Sequence, residues 1–227
     1  LATNNNNNNN NNNIIIRNIT LEDIHDIVEL QKQSFPIMAK DGVIWHKHHL
    51  QSHIRIFPEG QFCAELGGKI IASSSSLVIS LRPDYQEHTW KQATAYGMFT
   101  NHTLKGDSLY GADISTHPDS RGLGIATMLY DARKDLVVKL NLRRMIAGGR
   151  LFNFCDYAKK MSAQEYAEKV VKGELKDLVL SFQLNNGFKF IKILPNYMKD
   201  SRSLNYASFI EWINPKYVPQ KNELMFK

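Results

Sequence analysis

The stretch GADISTHPDSRGLGIATMLYDARKDL, Gly111 to Leu136, constrains the fold more than any other part of the chain. Residues 108–116 read as a strand. Ile125, Met128, Leu129, Ala132, Leu136 and Leu140 recur at helical spacing, which predicts a helix over 124–140. Between them lie Pro118 and the bare turn Arg121-Gly122-Leu123-Gly124. The first amides of a helix have no partner inside it, and the helix dipole makes that end partly positive. Glycines there leave the backbone open to an anion. A phosphate or pyrophosphate at the amides of Gly122 to Ala126 is the ligand this joint suits.

The rest of the chain alternates strands with helices. Ile14-Ile15-Ile16 reads as a short strand, and Thr20 with Asp23 three residues on predicts a capped helix over 21–34. Trp45 to Ile56 reads as a second helix, stopped before Pro58. Gln61 to Leu66, Gly67-Gly68 and Lys69 to Leu81 read as a β-hairpin. Arg82 to Asp107 is long and irregular, with Trp90 and Tyr96; a loop of that length suits a lid or a binding wall. Further strands are predicted over 144–150, 187–194 and 206–213, and helices over 163–171 and 175–184. The class is therefore α/β or α+β with a mixed sheet. One folded domain spans 14–213, and 214–227 reads as a tail or linker. Asn4 to Asn13 has no apolar residue to bury and is expected to be disordered. The chain opens on Leu1, as a piece of a longer protein would.

Composition narrows the function classes. The net charge of +6 is scattered rather than gathered into one arm, and no nucleic-acid-binding motif accompanies it, so an anionic small ligand fits better than nucleic acid. No apolar run approaches a bilayer span, and no signal-peptide pattern opens the chain. Two cysteines, Cys63 and Cys155, supply neither a disulfide framework nor a four-ligand zinc site, and a reducing cytoplasmic setting is the simplest expectation. His46, His48, His49 and His53 contain one i,i+4 pair, but no zincin pattern surrounds them; a surface helix without metal is expected.

Three phosphate-binding turns can be set against Arg121-Gly122-Leu123-Gly124-Ile125-Ala126. The dinucleotide fingerprint fails because Thr127 stands where its third glycine belongs, and the Walker Gly-Lys-Ser/Thr is absent. The acetyl-CoA loop, Arg/Gln-x-x-Gly-x-Gly/Ala, is matched at every fixed position. With His117-Pro118 before it, an amphipathic helix after it, and Asn186-Gly187-Phe188 opening a late strand, the chain resembles the GNAT superfamily of acetyl-CoA-dependent N-acetyltransferases over 14–213. The stretches FPEGQFCAE, YGADISTHPDSRG, LSFQLNNGF and PNY are similar to the acetyltransferase segment that precedes a carbon-nitrogen hydrolase (nitrilase-like) domain in some two-domain proteins.

The resemblance implies a GNAT-like mixed central sheet with helices on both faces, and acetyl-CoA as cosubstrate without a metal. It implies that Ile114, Ser115 and Thr116 bind pantetheine through their backbones, and that Arg121, Gly122, Leu123, Gly124, Ile125 and Ala126 bind the pyrophosphate. Arg133, Lys134, Arg143 and Arg144 could reach the 3′-phosphate, although a solvated face suits ordinary charges better. The implied reaction is attack of a neutral amine, small-molecule or peptide, on the thioester. Asp113, on an otherwise buried strand, is the candidate base; a structural carboxylate paired with an arginine is the competing reading. His117 is a weaker candidate. The family's acidic tyrosine falls at Gln183, which cannot protonate a thiolate, so Tyr197 or Tyr157 would have to substitute. That departure keeps a second expectation open: a coenzyme-A-binding regulatory module attached to a hydrolase.

Overall fold

The computed structural model describes residues 14–219. The asparagine run and most of the expected C-terminal linker lie outside the described residues. Seven strands form one mixed sheet: β1 (Ile15–Asn18), β2 (Gln61–Leu66), β3 (Lys69–Ile79), β4 (Ser108–Thr116), β5 (Arg144–Arg150), β6 (Lys189–Leu194) and β7 (Ala207–Ile213), in the order β1-β2-β3-β4-β5-β7-β6. β4 and β5 are parallel; every other neighbouring pair is antiparallel. The helices are α1 (Ile24–Ser34), α2 (Pro36–Lys40), α3 (Lys47–Ile56), α4 (Trp90–Ala93), α5 (Ile125–Lys139), α6 (Ala163–Val171) and α7 (Leu180–Asn185). Ile24, Ile27 and Leu50 of α1 and α3 pack with Tyr110 and Ile146 on one face of the sheet. Tyr130, Val137, Tyr166 and Leu180 of α5, α6 and α7 pack with Leu109 and Met145 on the other. The expected architecture, a mixed sheet with helices on both faces, is the observed one.

Local chemistry explains the boundaries. Gly67 and Gly68 turn the β2–β3 hairpin with φ of +58° and +78°, the left-handed pair a tight hairpin needs. Ser162 and Glu165 cap α6 reciprocally, with bonds of 3.2 and 2.8 Å. At α1 only half of the expected cap forms. Asp23 accepts from the Thr20 amide at 2.8 Å, but Arg17 clamps the same carboxylate at 2.7 and 2.8 Å, and the helix opens at Ile24. Leu21, expected inside the helix, is left exposed. The helix expected over 175–184 starts only at Leu180. The buried Asp177 carboxylate accepts from the Val179 and Leu180 amides at 2.9 Å and caps the helix there.

The middle of the sheet positions the site. Ser75 faces Asp113 but Ser76 faces Gly111, so Ala112 is an extra residue, a β-bulge in β4. Beyond Gly111, among the described residues, β4 has no register partner in β5. The two strands part there like the arms of a V. Their closed end is fastened by the buried Arg144. Its guanidinium meets Glu211 and Asp84 at 2.8 Å, and its Nε donates to Ser108 Oγ at 2.8 Å. Removing one member of a buried ion pair leaves the other uncompensated. Arg144→Met is therefore expected to cost about 3–5 kcal/mol in urea denaturation; a loss below about 1 kcal/mol would mean that solvent already shares the network.

Candidate active site

The open end of the V is the floor of a cavity of about 710 Å³. Asp113 and Ile114 line it from β4, Gly148 to Arg150 from β5, and Gln31 and Phe35 from α1 and the residue after it. Trp45 and His49 from the α3 segment, and Trp90 and Tyr96 from the long 82–107 segment, complete an aromatic wall. The 82–107 segment borders the cavity, as its length suggested, and the α3 segment borders it too. Trp45 packs its ring 5.1 Å from Trp90 and 5.8 Å from His49.

The bulge decides where Asp113 points. Simple alternation would send residues 109, 111 and 113 to the α5 face. The extra residue shifts the phase, and Asp113 instead meets α1, where Gln31 Nε2 donates to its carboxylate at 2.8 Å and to Ser115 Oγ at 3.1 Å. Burial is the largest influence on the Asp113 carboxyl and raises it to about 6. The Gln31 bond, the Arg133 charge, the Trp45 indole and the Arg150 charge pull the other way. Arg133 approaches Asp113 from α5, but its Nη2 donates to the carbonyl oxygens of Ser75 and Asp113. The carboxylate is thus not the partner of an arginine, and it opens on the cavity.

The glycine turn lies where β4 would continue. Gly122 and Gly124 have φ of +83° and +75°, and a Cβ on either would meet open space. Gly124 caps α5 in the left-handed conformation. Ile125 buries its side chain among Ala64, Ala72 and Leu129 while its amide stays in the first turn. Ala126 follows, and Leu123 is exposed. Arg121 Nη2 donates to the Ser34 carbonyl at 3.2 Å, tying the turn to α1. Thr116 lies on β4, its carbonyl taken by Ser34 Oγ at 3.1 Å, and Ser115 is buried against Ser73 Oγ at 2.9 Å. The expected ligand-binding residues thus form one run along β4 and round the turn, with only Ile114 on the cavity wall.

Several other expectations change. Arg133 and Arg144 are not solvated: they are 2% and 0% exposed. Arg143 pairs with Asp84 at 2.9 Å, and Lys134 donates to the Asn186 carbonyl at 2.9 Å. Gly148 and Gly149 make room for side chains, because a Cβ on Gly148 would overlap the Tyr197 ring and one on Gly149 the Gln183 amide. Tyr197 is buried and lines the cavity, whereas Tyr157 packs against Tyr166 on the opposite face. His117 caps the following turn, accepting from the Asp119 amide at 3.2 Å, and is not on the cavity wall. The histidine helix is not simply a surface one. His53 is fully buried, stacked on Phe99 at 3.6 Å and donating Nε2–H to the Gly97 carbonyl. Burial lowers His53 to about 3 and His49 to about 4, so both are neutral near pH 7. Trp45, His49 and His53, spaced i,i+4, form a ring stripe, although the histidines alone read as a surface helix.

The Acetyltransferase (GNAT) family profile matches residues 24–154, and the chain belongs to that family. It is 46% identical over 215 residues to the probable hydrolase YhcX of Bacillus subtilis (strain 168), covering 94% of this chain but only 41% of that protein. It is 41% identical over 204 residues to the uncharacterized N-acetyltransferase YkwB of the same organism, covering 90% of each. Among solved structures, the GphF GNAT-like decarboxylase in complex with isobutyryl-CoA shares the fold, with a TM-score of 0.71 at 16% identity over 88% of this chain and 99% of that one. No helix among the described residues is long and apolar enough to cross a membrane.

A carboxyl whose folded value is raised binds its proton more tightly in the native state. Asp113 should therefore cost stability as pH climbs from the ordinary 3.8 to about 6, and no more beyond that. Above about pH 7, Asp113→Asn is expected to be more stable than the unaltered protein by about 1–3 kcal/mol in denaturant titrations, with the gain vanishing in acid. No gain at any pH would contradict the buried carboxyl.

Proposed function

We propose that this chain binds acetyl-CoA and transfers the acetyl group to a primary amine by direct attack. The observation that carries the reading is the run of unpaired β4 edge leading to the bare first turn of α5. An extended pantetheine arm can add to such an edge as a strand would, through the backbones of Ile114, Ser115 and Thr116. The amides of Gly122 to Ala126 suit its pyrophosphate, and Arg121 adds a positive charge beside them. The isobutyryl-CoA bound by the GphF decarboxylase makes an acyl-CoA thioester a reasonable ligand for this fold.

The acetyl carbonyl would then lie in the V, beside Asp113 and across from Tyr197. A backbone N–H past the bulge is suited to its oxygen, where charge develops as the nitrogen adds. Asp113 takes the proton that nitrogen loses; a carboxyl near 6 is ionised at neutral pH yet basic enough for the task. The carbon–sulfur bond breaks and the electron pair leaves on sulfur. Tyr197 gives that thiolate a proton, in place of the tyrosine for which Gln183 stands. Trp45, Trp90 and Tyr96 shape the acceptor side and suit an amine with an apolar or aromatic body.

The second reading is a coenzyme-A-binding module without turnover, serving a hydrolase. Gln183 favours it, and so does the fraction of YhcX that this chain spans. Melting shifts and thiol release separate the two. Acetyl-CoA at roughly a hundred times its Kd should add about 2.7 kcal/mol of stability. On the proposed reading free thiol also appears with some member of a panel of amines; a shift with no thiol released favours the module. Asp113→Asn is expected to keep the shift and lose at least about 100-fold in kcat. Gly124→Glu should lose the shift, because a carboxylate then occupies the anion's place; an unchanged shift would move the ligand elsewhere.

A further inference from the structure

Behind Tyr197 runs a line of hydrogen bonds that the chemistry above leaves unused. Tyr197 Oη lies 2.7 Å from Tyr110 Oη, Tyr110 Oη lies 3.0 Å from His88 Nε2, and His88 Nδ1 lies 2.8 Å from the Gln86 carbonyl oxygen. Tyr197 and Tyr110 are 2% and 0% exposed. Tyr197 borders the large cavity, and His88 borders a separate cleft of about 360 Å³, with Gln86, Glu87, Gln92 and Asn101. The line therefore crosses packed core, from the candidate active site to a second opening.

Its polarity follows from the far end. A carbonyl oxygen only accepts, so His88 Nδ1 carries the proton of the neutral imidazole and Nε2 is bare. Tyr110 then donates to Nε2, and Tyr197 donates to Tyr110. At rest Tyr197 turns its proton away from the cavity, and its oxygen, which the Gly148 backbone amide also approaches as a donor, presents no proton to it. Tyr197 cannot act as an acid from that state. It can accept.

We propose that Tyr197, Tyr110 and His88 form a proton store, loaded by the incoming ammonium ion and discharged onto the departing thiolate. The inference rests on the acetyl-transfer reading. A proton from the ammonium enters at Tyr197 Oη, the Tyr197 proton passes to Tyr110, and the Tyr110 proton passes to His88 Nε2. The amine is now neutral and His88 is an imidazolium. Every hydroxyl has reversed, and Tyr197 points a proton into the cavity. The amine attacks, Asp113 takes its second proton, and the carbon–sulfur bond breaks. Tyr197 protonates the sulfur, Tyr110 refills Tyr197, and His88 refills Tyr110. The line returns to its first polarity. One proton remains on Asp113 and leaves with the products, which balances ammonium and thioester against amide, thiol and one proton.

The surroundings of His88 suit temporary storage. Burial lowers its basicity and the Lys192 charge from β6 acts in the same sense, while the Gln86 carbonyl opposes them; Glu87, beside it, is paired with Lys192 at 3.7 Å. The other groups against the ring are Tyr110, Tyr197 and Phe209, the last of which carries no charge. A proton held there is readily returned. His88 and Tyr110 act through Tyr197 and are positioning residues.

The test is Tyr110→Phe, which keeps the ring and cuts the line, with His88→Gln as the second variant should the first fail to fold. Thiol release is followed from pH 6.5 to the pKa of an alkylamine acceptor. At neutral pH kcat is expected to fall by about 100-fold or more, while the acetyl-CoA melting shift is unchanged. The deficit should shrink as pH nears the amine pKa, because a neutral amine brings no proton to load the line and the thiolate then departs unprotonated from both proteins. An acceptor that is neutral at pH 7, such as a hydrazine, should show a smaller deficit than the alkylamine. A kcat within threefold of the unaltered protein, or a deficit equal at every pH and for both acceptors, overturns the store alone. Absence of thiol release from the unaltered protein overturns it together with the transfer reading.

Discussion

The parting of β4 from β5 after Gly111 is the constraint on which the site depends. One extra residue, Ala112, causes two things at once. It ends the pairing with β5, so β4 runs on past Gly111 with no register partner on that side among the described residues. It also turns Asp113 from the α5 face to the α1 face, where Gln31 holds it against the cavity. A strand edge and a carboxylate are brought together by a single defect in register. The opposite end of the same strand pair cannot part, because Arg144, Ser108, Glu211 and Asp84 hold it. The opening is therefore local.

Charge is distributed around this opening with equal economy. The positive groups near Asp113, Arg133 and Arg150, are committed to backbone carbonyls and to Asp200, so they bias its carboxyl without neutralising it. His49 and His53 are held neutral by burial and contribute rings rather than charge. The first turn of α5, with open space around Gly122 and Gly124, lies some distance along the chain from the carboxylate. An anion can be held at one end and a proton removed at the other without the two requirements competing.

Much of the frame was legible in the sequence. β4, β5 and α6 fall on the residues their patterns predicted, because alternation, glycine boundaries and a capping box are local signals. The turn at Arg121 to Ala126 was legible because two glycines just ahead of an apolar-periodic helix mark left-handed positions that side chains disfavour. The bulge was not, since register is a property of two strands and neither carries it alone. Arg133 reads as a surface charge because a helix pattern sorts residues by polarity, and its partners are carbonyls contributed by β3 and β4. Asp177 delays the start of its helix to Leu180 by accepting from amides that lie after it, inside an apolar run that reads as continuous helix. Tyr197 could be told from Tyr157 only in three dimensions, where Gly148 makes room for one of them.

The most direct measurement is a crystal structure of this protein with coenzyme A. The account expects the pyrophosphate on the amides between Gly122 and Ala126, the pantetheine arm alongside Ile114 to Thr116, and the sulfur in the V between Asp113 and Tyr197. Coenzyme A bound away from the α5 turn, with the β4 edge empty, would contradict it.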